Sequence, residues 1–480
     1  MRRPTCVSDL SPETLAAIFE SLSVRDPDWA TLRPQMGPMA LVAVCRAWRK
    51  VACETPALWS RFKVDFGHVP PPRRTSQLAH SKQRAISPAP IRSYAEQQRL
   101  LQQRVTAQLE AAFSWLERAK PLPLSLTLGS YGDVNYLTTL HPIPDVVGRF
   151  ADTVGSLRIQ TDDDHNIQFL LESVEYENPD PPVHPRLREL VIDHPQPDFE
   201  WISMTEPALE AMYPALERFA VSPGFAWHRK DEHLRRICET LALCPALEAC
   251  HVASLLPDIP GLKKLRAQTT LEALTALTLQ LSSGPAFTEF FRLFHMPSLE
   301  TLSLGYTRGL LSGAMDKPLA KICPTLPETL TQVSFCVPCP APILIALLKR
   351  VGPALTDLRI HYDKPVFDAL CAGASSSSDS LAPHLRSLYL LLPAEGKKPE
   401  KTDTAPAKLI TEYIIENAKQ NKLPVAAKDL LLVRETPPRR DNVGSMCAWL
   451  AKDVGITVRT GLPEAGYPNR AMVFEVFSYA

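Results

Sequence analysis

The sequence predicts an α/β chain in which a small all-α module precedes a solenoid of repeats, with parallel strands on the concave face and helices behind them. Three observations carry this reading. Residues 10–59 hold helix caps and apolar stripes at helical spacing. From residue 150 onward one apolar phrase returns every 25 to 33 residues, the mark of a repeat architecture. Prolines outnumber glycines 46 to 19, which suits a chain that breaks often between short elements.

Composition sets the bounds. At 480 residues the chain exceeds the size at which one hydrophobic core keeps growing. Hydrophobic residues at 45% and charged residues at 22% are ordinary for a folded protein. Basic and acidic residues cancel at 52 each, so no bulk attraction to nucleic acid or to an anionic membrane is expected. The 11 cysteines are odd in number and lack a spacing framework, which reads as reduced thiols in cytoplasm or nucleus. The opening MRRPTCVSDLSPETL has no apolar run of a signal peptide. No stretch approaches the ~18 apolar residues of a membrane span.

In the first module (residues 1–66), Ser11 and Pro12 form a cap followed by proline at the first helical position. Glu13 complements the helix dipole. Leu15, Ile18, Phe19 and Leu22 then define one apolar face. Asp26, Pro27, Gly37 and Pro38 punctuate a loop. A second helix is expected from Met39 to Ala52, with Leu41, Val44, Cys45, Trp48, Val51 and Ala52 at i, i+3, i+4 spacing. Thr55-Pro56 ends it and Leu58-Trp59 follows as an apolar clasp. Periodicity leaves two readings open: a helical hairpin packed on the rest of the chain, or a module that binds a partner.

The residues themselves closely resemble the F-box, particularly in its fungal form. The match lies in Leu10-Ser11-Pro12-Glu13, Ile18-Phe19 and Leu22, then Val44-Cys45-Arg46-Ala47-Trp48 and Thr55-Pro56-Ala57-Leu58-Trp59. Ser11 departs from the usual Leu-Pro-Pro-Glu opening, and Ser23 to Met36 is longer than in a minimal F-box. The resemblance implies binding rather than chemistry: apolar helix faces laid against a Skp-type adaptor, which docks on a cullin. By position, Leu10, Pro12, Ile18, Leu22, Val44 and Cys45 would meet the adaptor, with Trp48 either joining them or serving as internal core.

Residues 67–92 follow as a basic, Pro/Ser-rich linker; 68–92 contain no acidic residue. Residues 93–120 read as a bridging helix with Leu101, Val105, Leu109, Ala112, Phe113 and Leu116 on one face and Pro121 as its stop. Trp115-Leu116-Glu117-Arg118 and Leu122 to Leu126 again look like fungal F-box proteins at the start of their repeat region.

Residues 121–480 are assigned to an irregular leucine-rich-repeat solenoid with a C-terminal cap. The phrase is seen at Val154-Leu157-Ile159, Leu187-Leu190-Ile192, Leu216-Phe219-Val221, Leu247-Cys250-Val252, Leu274-Leu277-Leu279, Leu299-Leu302-Leu304, Leu330-Val333-Phe335, Leu355-Leu358-Ile360 and Leu385-Leu388-Leu390. Proline usually stands two residues ahead, ending the preceding helix. Helical stretches fall at 230–243, 287–294, 342–351 and 366–372. The standard repeat places Asn or Cys three residues past the third apolar position. Here Asp162, Pro195, Gly224, Leu255, Ser282, Thr307, Pro338, Asp363 and Pro393 stand there, so no buried side-chain ladder is expected. Inserts at 375–380 and 394–405 should bulge as loops. A helix near 407–420 and strands at 430–433, 456–459 and 472–476 should close the array.

No phosphate loop, nucleophile elbow or zinc-protease helix occurs, so no catalytic residue, metal or cofactor is expected. Cys336 and Cys339 form a CxxC without a matching pair, and Asp162 to Asp164 read as a solvated turn. Strand alternation puts Arg158, His251, Arg359 and Tyr389, and one step on His361, on the face opposite the apolar phrase. These are the candidate contacts for a target protein. The function expected is a substrate receptor in a Skp–cullin–F-box ubiquitin ligase. The alternative is an F-box scaffold that presents no degradation target, and a hydrolase hidden in the repeats fits poorly.

Overall fold

The computed structural model describes residues 10–25, 30–32, 37–66, 94–130, 142–161, 186–194, 215–223, 233–254, 262–263, 265, 268–281, 283–306, 315–337, 339–374, 381–392, 413–414, 417, 430–434 and 457–460. The linker at 68–92, the Asp162–Asp164 turn, the inserts at 375–380 and 394–405 and the strand expected at 472–476 lie outside these residues. The chain divides into two compact units, Met1–Arg229 and Lys230–Ala480.

In the first unit, helix α1 (Pro12–Arg25) starts where Ser11 predicts, its Oγ accepting the Thr14 N–H at 3.3 Å. Leu15 and Phe19 face inward. The expected helix Met39–Ala52 is instead two helices, α2 (Gly37–Val44) and α3 (Arg46–Cys53). Cys45 between them is extended (φ −156, ψ 174), and its Sγ accepts the Trp48 N–H at 3.5 Å, capping α3. Arg49 ties the break together, its Nε donating to Val42 O at 3.0 Å. Apolar spacing carries no trace of this break, because one extended residue shifts the phase without changing which residues are apolar. Pro56–Trp59 forms a 3-10 turn, from which Trp59 Nε1 donates to Ala52 O at 2.7 Å.

The sheet begins two strands before the first repeat phrase. Strand β1 (Arg61–Phe66), at the end of the span assigned to the all-α module, pairs in parallel with β2 (Leu124–Ser130). The bridging helix, α4 (Tyr94–Glu117), therefore lies on the connection between two parallel strands. The signal was present in the alternation of Phe62, Val64 and Phe66, all buried. Trp115 locks this corner: its Nε1 donates to Trp59 O at 2.9 Å and to Arg61 O at 3.2 Å, and the two indoles meet edge-on at 5.0 Å. Buried indole N–H groups need such partners. Helix α5 (Pro142–Arg149) and strands β3 (Val154–Thr161), β4 (Glu189–His194) and β5 (Arg218–Pro223) continue the unit. Each strand pairs in parallel with its predecessor.

The second unit repeats the scheme. Its helices are α6 (His233–Ala242), α7 (Gly284–Leu293), α8 (Asp316–Ile322), α9 (Ala341–Val351) and α10 (Lys364–Ala374). Its strands are β6 (Ala249–Ser254), β7 (Thr269–Thr270), β8 (Ala276–Leu281), β9 (Phe294–His295), β10 (Thr301–Tyr306), β11 (Gln332–Phe335), β12 (Asp357–His361), β13 (Ser387–Leu392), β14 (Leu430–Arg434) and β15 (Thr457–Thr460). β7 and β9 form a separate pair; the others run parallel in chain order. The second and third residues of every apolar phrase lie on a strand, the first stands at its start or just ahead of it, and all three are buried. The middle residues align across strands: Cys250, Leu277, Leu302, Val333, Leu358 and Leu388 share one line.

Two devices tie the backbone of successive repeats together. Just ahead of each strand, one carbonyl accepts two N–H groups from the next repeat: Glu248 O from Thr275 and Ala276, Thr275 O from Glu300 and Thr301, Glu300 O from Thr331 and Gln332. Thr331 O and Thr356 O continue this chain at 2.7 to 3.1 Å. On the helix side, arginines satisfy loose carbonyls. Arg292 donates to Leu262 O and Leu265 O, and Arg350 to Cys323 O, Pro324 O and Leu326 O.

Candidate protein-interaction surfaces

Helix α1 turns two faces in different directions. Leu15 and Phe19 are 5% and 1% exposed, whereas Ile18 and Leu22, one turn apart on another face, are 41% and 45% exposed. Val44, at the end of α2, is 59% exposed. These three are the exposed large hydrophobics of the described residues. Pro12 and Cys45 are exposed and Leu10 is half-buried. Trp48 packs on Phe19 with ring centroids 5.0 Å apart and is half-buried, so part of its ring belongs to the interior of the module. Of the seven residues singled out for an adaptor, Trp48 is the one that the packing ties to the core.

The second surface is the strand face opposite the apolar phrases. In the first unit Lys63, Thr127, Arg158, Val191 and Ala220 share one row. Asp65, Gly129, Gln160, Asp193 and Ser222 share the next. Gln160 Nε2 donates to Asp193 Oδ2 at 3.2 Å. Arg158 is half-buried there. A Cβ at Gly129 would meet the Asp65 carboxylate, which would have to turn aside to admit it.

In the second unit the corresponding row is His251, Thr278, Ser303, Ser334, Arg359 and Tyr389. The row is closed at one end and open at the other. His251, Thr278 and Gln280 are only 2%, 6% and 4% exposed, against the alternation argument, which puts His251 at the surface. Alternation fixes which side of the sheet a residue faces, not whether that side meets water. Burial pushes the His251 imidazole down to about 4, so it is neutral, and neither ring nitrogen has a hydrogen-bond partner. Ser303, Ser334, Arg359, His361 and Tyr389 are half-buried.

The thiols offer little chemistry. Burial raises the Cys238 and Cys250 thiols far beyond any thiolate role near neutrality, while Cys244 is pushed up to about 12. Cys339 of the CxxC is likewise pushed up to about 12, chiefly by burial. None of the described cysteines is paired. Among the described residues no group of three or more His, Cys, Asp or Glu side chains is placed to hold a metal ion. No helix among them is long and apolar enough to cross a membrane.

No protein-family profile matches the chain, and no curated protein matches it. Among solved structures it is similar to a protein from Bacteroides fragilis, with a TM-score of 0.34 and 13% identity over 67% of this chain and 81% of that one. It is also similar to the leucine-rich repeat-containing protein LegL7 from Legionella pneumophila, with a TM-score of 0.28 and 12% identity over 65% of this chain and 95% of the other. Both scores are low, and nothing about function passes from either protein to this one.

Proposed function

We propose that this chain is an F-box protein that docks a Skp-type adaptor, and through it a cullin, with its N-terminal helices while its repeats hold a target protein. The observation that carries the reading is the split on α1 and α2. The positions that the F-box resemblance gives to the adaptor, Ile18, Leu22 and Val44, are the ones left exposed, while Leu15, Phe19, Leu41, Val51 and Ala52 fill the interior. Isolated apolar residues on a surface are ordinary. Three on the residues of a partner-binding motif are what a helix-in-groove interface needs before its partner arrives.

The test is co-purification of the full chain with a Skp-type adaptor. Ile18→Asp with Leu22→Asp should abolish capture without lowering the thermal midpoint, since both side chains already face solvent. Capture at unchanged affinity would refute the docking assignment. Transfer of ubiquitin to a bound partner in a reconstituted ligase then separates a substrate receptor from an F-box scaffold.

A further inference from the structure

The open end of the second unit's strand face carries a group of polar side chains, of which Arg359 and His361 have ring or guanidinium nitrogens without partners, while the Ser334 hydroxyl has only the Cys336 sulfur at 3.7 Å. Arg359 and His361 lie two residues apart on β12 and so share a face, with Tyr389 beside Arg359 on β13 and Ser334 beside it on β11. Arg359 Nε and His361 Nε2 are shielded from solvent and make no hydrogen bond. Among the described residues no ion pair reaches Arg359, and the Oδ1 of Asp363, four residues on, is likewise without a partner.

The contrast with the arginines of the neighbouring repeats is informative. Arg292 and Arg350 each donate to two or three backbone carbonyls, so their task is structural even though Arg350 Nε is itself without a partner. Arg359 has no such task. A guanidinium Nε–H shielded from water without a partner is costly to keep in a folded chain. Small, half-buried residues, Ser303 and Ser334, occupy the strands leading to it, so a bound segment could approach the strand face closely. Beyond them the face closes at Thr278 and Gln280.

We infer that Arg359, His361, Tyr389 and Ser334 form an anion-recognition site for a side chain on an extended segment of a partner protein. The guanidinium takes the anion through two parallel N–H donors. The Tyr389 and Ser334 hydroxyls supply neutral donors on either side. This deepens the target-binding half of the proposed function and names its chemistry: a carboxylate or a phosphate ester, held by one arginine fork.

Degenerate peptide pools test it, each with one fixed central residue (glutamate, phosphoserine or glutamine), passed over the immobilised full chain. Retention of the glutamate or the phosphoserine pool should exceed that of the glutamine pool by about ten-fold, the scale of a single interface anchor. Which of the two leads tells the carboxylate from the phosphate. Arg359→Gln should erase the preference, and Tyr389→Phe, which keeps the ring, should weaken it. Equal retention of all three pools overturns the inference, as does a preference that survives in Arg359→Gln. An unchanged thermal midpoint in both variants guards against misfolding as the cause. Adaptor capture is read separately, so failure here leaves the docking proposal standing.

Discussion

His251 is the residue at which expectation and packing part most clearly, and it has a measurable consequence. Its folded pKa lies below the usual value of 6.5, near 4, because burial penalises the charged ring. Between those values the unfolded chain binds the proton that the folded chain refuses. Stability is therefore fully present above about 6.5 and falls as pH drops towards 4, by on the order of 3 kcal/mol. Urea midpoints across that window should show the slope, and His251→Asn should flatten it. A wild-type slope retained in the variant would assign the acid sensitivity elsewhere. The phrase leucines behave differently, since Leu302 and Leu358 are wholly buried in mid-sheet. Leu302→Ala should cost about 2–5 kcal/mol, read by denaturation, with hydrogen exchange quickening in β8 and β11.

Among the elements, the strands were legible from sequence because one phrase was written nine times. The helices on the expected stretches followed from ordinary periodicity: 342–351, for example, is found as Ala341–Val351. Three features were hidden. The break at Cys45 depends on a single extended residue. β1 lacked the repeated phrase and sat in a segment whose helices drew the reading. The arginine staples join residues 24 to 30 apart in sequence, and no local pattern encodes that pairing. Arg350 is the one to test. Arg350→Met would leave the carbonyls of Cys323, Pro324 and Leu326 without their donor and should destabilise by about 1–3 kcal/mol. Chemical denaturation checks this, and Arg350→Lys should recover part of the loss. No difference between Met and Lys would mean that packing of the stem matters more than its donors.

At the scale of the whole molecule, the helical module and the start of the first unit's sheet share one core rather than meeting through a linker. Trp59 closes the module, and Trp115 on α4 binds the Trp59 and Arg61 carbonyls while packing on Phe62. A chain shortened to begin at residue 94 should therefore lose more than a docking motif. It strips β2 of β1, one of its two parallel neighbours, and leaves the Trp115 indole without acceptors. The shortened protein should aggregate or melt well below the full chain, as light scattering and a thermal scan would record. An unchanged midpoint would mean that the module is a separable domain.

Sequence by itself determined the repeat, its strand positions and which residues face the core, because alternation and recurrence are local properties that survive without knowledge of neighbours. It also singled out Ile18, Leu22 and Val44 as residues for a partner, through their place in a motif. Tertiary structure alone decided the rest. Whether His251 or Arg359 meets solvent depends on what packs over each end of a strand face. Which arginine is a staple and which is left over depends on carbonyls brought close by the stacking of repeats. Burial and pairing belong to the assembled chain, since each is set by atoms distant in sequence.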